Sequence, residues 1–217
     1  MDCCSNTING LDAVFNETYA RQDAKHYRKK GLDKRARLIA EEIKVRDIQG
    51  SAVLEVGSGV GGLLLELLKA GAASAVGLEL SSASIAAARD LAAELGLAER
   101  TEYLSQNIAM EGSAVEAADV VILDRVVCCY PHMRPLVSEA AAHARRLLAL
   151  AYPRRAWYMR AGHLALNFFS WLFREEYRFY LHLPAEIAAV VEAAGLRRTF
   201  HQRGWIWHVA IYERPPT

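Results

Sequence analysis

The stretch Val53-Leu54-Glu55-Val56-Gly57-Ser58-Gly59-Val60-Gly61-Gly62 constrains the fold of this chain more than any other. A short apolar run passes into glycines and then into a helical pattern. Glycine lets the backbone turn sharply and lets a ligand approach without meeting a Cβ. The helix start that follows presents unpaired N–H groups to polar or anionic ligand atoms. A second apolar run, from Ser74, reaches a carboxylate at Glu79. An acid at that distance can accept hydrogen bonds from the two vicinal hydroxyls of a ribose.

Strands and helices alternate after this point. Apolar runs at Ala52–Val56, Ser74–Leu80, Thr101–Gln106, Asp119–Leu123 and Arg146–Ala151 read as strands. Helical patterns cover Val60–Ala70, Ser81 or Ser82 to about Leu95, and Leu136 to about Ala144. Such alternation predicts a parallel sheet covered on both faces. Pro184–Ala194 reads as a helix with proline in its first turn. Leu196–Gln202 and Trp205–Glu213 then read as strands joined at Arg203-Gly204, so this edge is expected to be antiparallel. The predicted class is α/β: a doubly wound, seven-stranded, mostly parallel sheet with an antiparallel last strand and a helical N-terminal cap. Residues 1–50 are expected to form the cap or lid, and 51–217 a cofactor-binding domain carrying a helical insert at about 155–183.

Gly57, Gly59 and Gly62 also satisfy the dinucleotide fingerprint, which keeps an NAD-binding oxidoreductase open. Three features weigh against it. Glu55 would repel a pyrophosphate but suits a positively charged amino acid end. A long helical segment precedes the first strand. No room remains after the hairpin for a separate substrate domain.

These residues resemble the class I S-adenosylmethionine-dependent methyltransferases, over roughly Gly50 to Glu213. The resemblance implies that S-adenosyl-L-methionine is the cofactor. Its methionine portion would lie in the loop matched by Glu55, Gly57, Gly59 and Gly61, and its ribose against Glu79. The family's acidic residue near the adenine falls here on Asn107, whose carbonyl can still accept a hydrogen bond. Ser58, Leu80, Ile108 and Asp124 complete the expected cofactor contacts. A looser similarity, to the magnesium-protoporphyrin O-methyltransferase branch, rests on Val126 to Pro131 and on the helical insert. It bears on architecture rather than substrate.

Ligands of open α/β sheets bind beyond the carboxyl ends of the strands. The loop after the fourth strand, Asp124 to His132, should therefore face the transferred methyl group. Asp124, Tyr130 and His132 are candidates to orient or deprotonate an acceptor, His having the pKa best suited to a base near neutrality. Methyl transfer needs no strong base, because a sulfonium is already an activated leaving group. Arg125, Cys128 and Cys129, with Tyr19 and Tyr27 from the leading segment, are candidate substrate contacts. Cys128-Cys129 together with Cys3-Cys4 suggest a thiol cluster for a soft metalloid or thiol-reactive substrate. Buried, inert pairs are the plainer reading, and no metal is assigned.

The formal net charge of +1 gives no global attraction to nucleic acid. Eight Lys/Arg against two Asp between Arg21 and Arg37 form a solvated face, or less plainly a surface for an anionic partner such as nucleic acid. No secretion signal or membrane-spanning run is visible, which predicts a cytoplasmic protein. The aromatic-rich stretch Trp157–Phe179 reads as core or helix-packing face, as a wall for a flat apolar substrate, or as a dimer contact. The expected function is methyl transfer to a small, aromatic or hydrophobic acceptor whose reacting atom is not legible.

Overall fold

The computed structural model describes residues 14–111, 115–174 and 178–216. Two helices lead, α1 (Glu17–Lys30) and α2 (Lys34–Lys44). The Asn16 side chain caps α1 by accepting from Tyr19 N–H at 3.1 Å, and Asp33 caps α2 by accepting from Ala36 N–H at 2.9 Å. Then follow β1 (Ala52–Val56), α3 (Gly62–Lys69), β2 (Ser74–Leu78), α4 (Ser82–Glu94), β3 (Thr101–Leu104) and a single turn α5 (Ile108–Glu111). The remaining elements are β4 (Ala118–Asp124), α6 (Met133–His143), β5 (Ala144–Pro153), α7 (Trp157–Leu172), α8 (Pro184–Ala193), β6 (Arg197–Arg203) and β7 (Trp207–Glu213).

The seven strands form one sheet in the order β3-β2-β1-β4-β5-β7-β6. The first five run parallel, and β7 is antiparallel to both its neighbours. The expected hairpin forms, with Gly204 N–H donating to Trp207 O at 2.9 Å. Its second strand lies inside the sheet rather than at the edge, because β7 is apolar enough to be covered on both faces while β6 is largely exposed.

Side chains of β1 alternate between two cores. Val53 joins the cluster under α2 and α3, whereas Leu54 and Val56 join that under α6 and α8. Glu55 therefore points to the same side as Val53, toward the N-terminal helices. Register places Val56 beside both Leu78 and Leu123. The residues that follow, Gly57, Glu79 and Asp124, meet at the carboxyl edge of the sheet.

Two expectations about elements need correction. The helix after the glycines starts at Gly62, not Val60, because Gly61 at φ 75° holds the turn open. The insert helix α7 is not core: Ser170 is its one buried residue among those described, while Trp157, Phe168 and Trp171 are 81%, 53% and 65% exposed.

Candidate active site

Two cavities, of about 260 and 280 Å³, open on either side of the glycine turn. Both are bordered by Asp23, Gly57, Gly59, Asp124 and Arg125. The larger lies toward α1, α2 and Glu55, and the other toward β2, β3 and the loop after β4.

The turn is shaped by close approach. Gly57 has φ 67°, and a Cβ there would stand 2.5 Å from Val126 Cγ2. Gly57 and Ser58 N–H groups donate to Leu78 O at 2.7 and 3.1 Å, which pins the turn to β2. Glu79 closes the arrangement. One carboxylate oxygen accepts from Gly59 N–H at 2.8 Å, the other from Leu80 and Ser81 N–H at 2.8 and 2.9 Å. It thus stands at the cavity wall, fixed by three amides from two loops, and Leu80 lines the wall beside it.

Glu55 is 3% exposed, and its Oε2 has no hydrogen-bond partner. Burial, reinforced by the nearby charges of Asp124 and Glu79, holds its carboxyl well above the ordinary range. The buried Ser58 hydroxyl also lacks a partner. Asp23, on α1, faces the same region, and burial raises its pKa as well, against the opposing pull of Arg125.

Several residues singled out from sequence occupy other places. Gly61 borders neither cavity; it sits against the Tyr103 ring, which leaves no room for a Cβ. Asn107 is turned away from the cavity, its Oδ1 accepting from Tyr130 Oη at 3.0 Å and from Ala109 N–H at 3.1 Å. The preceding Gln106 lines the wall instead, with Oε1 buried and unpartnered. Ile108 lies fully in the core under α6. Tyr27 points its hydroxyl to Glu66 at 2.8 Å and receives Lys69 at 3.2 Å, stapling α1 to α3, so that only its ring edges the larger cavity.

The proposed acceptor-side bases also change. His132 is exposed and borders neither cavity. Tyr130 lines the smaller cavity, but it donates to Asn107 and burial pushes its pKa up, so it is no base near neutrality. Asp124 is held by Arg35 in a two-pronged pair, Nε–Oδ1 2.6 Å and Nη2–Oδ2 2.9 Å, with both side chains about nine-tenths covered. A carboxylate with both oxygens so engaged accepts poorly from a further donor. Arg35 also lies over the Trp207 ring at 5.5 Å.

Arg125 and Tyr19 do reach the cavity, together with Phe15, Phe179 and Trp207. Arg125 adopts φ 65°, and its carbonyl accepts from the Cys128 thiol at 3.2 Å. Cys128 is buried, and the bond it shares with Cys129, together with burial, pushes its pKa up; both cysteines line the wall. Cys3 and Cys4 lie outside the described residues. Among the described residues no group of three or more His, Cys, Asp or Glu is arranged to hold a metal ion.

Arg35, Asp23 and Gln106 were not singled out from sequence. Arg35 had a signal: it precedes Ile39 by four residues and Ile43 by eight, which places it on the buried stripe of α2. Phe179 ends the aromatic stretch whose readings included a wall for a flat substrate, and it lines the smaller cavity.

Residues 53–149 match the protein family described as "Methyltransferase domain". That stretch, β1 through most of β5, is similar to methyltransferase domains. The chain's fold is shared with magnesium protoporphyrin IX methyltransferase from Synechocystis PCC 6803, solved with bound S-adenosylhomocysteine (TM-score 0.72, 21% identity, 94% of this chain and 98% of that one). An O-methyltransferase family protein from Burkholderia thailandensis is similar at TM-score 0.73 and 18% identity, over 97% of this chain and 65% of that one. In sequence, the ribosomal protein L11 methyltransferase of Klebsiella pneumoniae (strain 342) is 38% identical over 93 residues, 42% of this chain and 30% of that protein. The chain thus spans about three-tenths of the length of the curated relatives it matches. The Synechocystis enzyme has also been solved with bound S-adenosylmethionine (TM-score 0.63, 19% identity, 99% of this chain and 87% of that one). Helices α1, α2 and α7 all lie outside the residues of the family match.

Proposed function

We propose that the protein methylates a small apolar or aromatic acceptor held beneath Phe15, Tyr19, Phe179 and Trp207. The observation that carries this reading is the composition of the smaller cavity: one wall is polar and cofactor-like (Glu79, Gln106), and the other is aromatic.

The polar atoms suit the cofactor. Glu79 keeps acceptor capacity for ribose hydroxyls beside its backbone bonds. The unpartnered Gln106 carbonyl suits an adenine amino group. Glu55 and Asp23 face the lobe where the ammonium and sulfonium charges would lie, and the unpartnered Ser58 hydroxyl can serve a carboxylate. When bound, the cofactor supplies an electrophilic methyl group: the acceptor's lone pair bonds to the methyl carbon as the carbon–sulfur bond breaks, leaving S-adenosylhomocysteine.

The chain's own residues align and shield. Arg35, gripping Asp124, holds α2 across the carboxyl edge of β4. The Ser81 hydroxyl donates to Phe15 O at 2.6 Å, which anchors the segment before α1 to the head of α4. The leading segment thereby acts as a cover that excludes water from the reacting atoms. A residue with a free basic atom is not required, and Tyr130 and His132 are not assigned that role. The buried Cys128 thiol argues against a thiolate-bound metalloid as substrate. A cytoplasmic setting belongs to the same reading.

Calorimetry with S-adenosylhomocysteine tests the cofactor half of the proposal. Glu79→Ala should weaken binding by about 1–3 kcal/mol, and Gln106→Ala by about 1 kcal/mol. Unchanged affinity in both would remove these residues from the site. A labelled-cofactor screen over pooled metabolites and over cell protein tests the acceptor half. Label appearing in protein alone overturns the small-molecule assignment.

A further inference from the structure

We propose that helix α7 is an interfacial docking helix that seats the protein on an anionic lipid surface. This goes beyond the catalytic reading and does not rest on it.

Exposed apolar residues of α7 are most continuous along one stripe, with Leu166 and Phe169 exposed beyond it. Trp157, Ala161, Leu164, Phe168, Trp171 and Leu172 recur at helical spacing and form one stripe. Trp157, Leu164, Phe168, Trp171 and Leu172 are each more than half exposed. The attachments lie off the stripe: Ser170 is buried, and the Asn167 amide exchanges two hydrogen bonds with the Phe179 backbone, at 2.9 and 3.0 Å. The apolar stripe therefore faces outward over roughly 24 Å of helix. A hairpin tip extends it, since Trp205 stacks on Tyr158 at 5.0 Å and is itself 74% exposed.

Charge distinguishes this face from an ordinary contact between copies. Between Arg154 and Arg178 the sequence holds five arginines (Arg154, Arg155, Arg160, Arg174, Arg178) against two acids, Glu175 and Glu176, both beyond the end of α7. Arg155, Arg160 and Arg174 are exposed, at the two ends and along one flank of the stripe. A face with Trp, Phe and Leu outward and rimmed by arginine is the composition that lies in the headgroup region of a bilayer. A second copy of the same face would bring arginine rims together instead. No helix among the described residues is long and apolar enough to cross a membrane, so the contact is one of lying on the surface.

The placement couples to the cavity. Phe179, fixed by Asn167 of α7, lines the smaller cavity, and the next residue, Tyr180, donates from N–H to Cys128 O at 2.8 Å. A protein resting on α7 would hold its cavity mouth near the headgroup layer.

Vesicle flotation with the whole chain, read by protein recovered and by tryptophan emission, tests the proposal. Binding is expected to equimolar phosphatidylcholine and phosphatidylglycerol and to be at least about tenfold weaker to phosphatidylcholine alone. Phe168→Glu should lower it at least about tenfold, and Arg155→Ala about fivefold, with added salt acting in the same direction as Arg155→Ala. Far-ultraviolet circular dichroism and thermal unfolding serve as the folding controls for both variants. Absence of vesicle binding, or binding that Phe168→Glu leaves unchanged, overturns the proposal. Light scattering that reports a dimer dissociated by Phe168→Glu, with no vesicle binding, assigns the face to a second copy instead.

Discussion

Glu55 is a carboxylic acid at the end of a central strand, with one oxygen that touches no donor. A buried group of this kind is tolerated because it can hold its proton. Its raised pKa makes it a source of stability below the ordinary glutamate range, and that stability is lost as pH rises through the folded value. A cationic ligand reverses the preference, because it favours the ionised form. Binding of S-adenosylmethionine should therefore release protons and tighten as pH rises through the range where Glu55 holds its proton. Calorimetry in buffers of differing ionisation heat reads the release directly, and Glu55→Gln should reduce it while making the ligand-free protein no less stable. Much of this site was legible in the residues themselves. The glycine turn and Glu79 declare themselves by spacing. That Asn107 turns toward Tyr130 while Gln106 takes the cavity wall was not legible, because it depends on a contact made across 23 positions of sequence.

At the level of elements, the sheet edge formed by β6 and β7 carries a histidine pair. His201 Nε2 and His208 Nδ1 stand 2.8 Å apart, with the rings stacked and Tyr152 stacked on the far side of His208. Burial, with help from His201 and Arg203, pushes the pKa of His208 down to about 4. The folded form thus refuses a proton that the unfolded chain accepts near 6.5. Stability should fall as pH drops from about 6.5 toward 4, and His208→Gln should flatten that acid limb in urea titrations. The strands themselves were readable from apolar runs bounded by Gly and Pro. That α7 would face outward was not, since a stripe of aromatics has the same helical period whether it meets a core or a lipid surface.

Considered whole, the molecule brings its leading helices and its sheet together at the two cavities beside the glycine turn. Arg35 reaches from α2 to Asp124, and Arg28 of α1 pairs with Glu94 of α4 at 2.6 Å, though that second pair is exposed and weak. A ligand bridging both parts should slow amide exchange in α1 and α2 as well as in the glycine turn. Arg35→Ala should remove the effect in the helices while leaving it in the turn. Equal protection of both in Arg35→Ala would mean that the helices are held without this pair. The basic run from Arg21 to Arg37 looked uniform in sequence. Its parts differ because one arginine lies on the buried side of α2, whereas others, such as Arg21, meet solvent at 75% side-chain exposure.

The position of β7 has a consequence for how the chain is made. Strand β6 touches the sheet only through β7, yet β7 comes after it. During synthesis, β6 can find no neighbour until residues 207–213 have emerged, and β5 keeps one open flank until then. The final strand must slot between two others rather than add at a rim, so a nascent chain stalled before Trp207 would display sticky strand edges to the cell's chaperones.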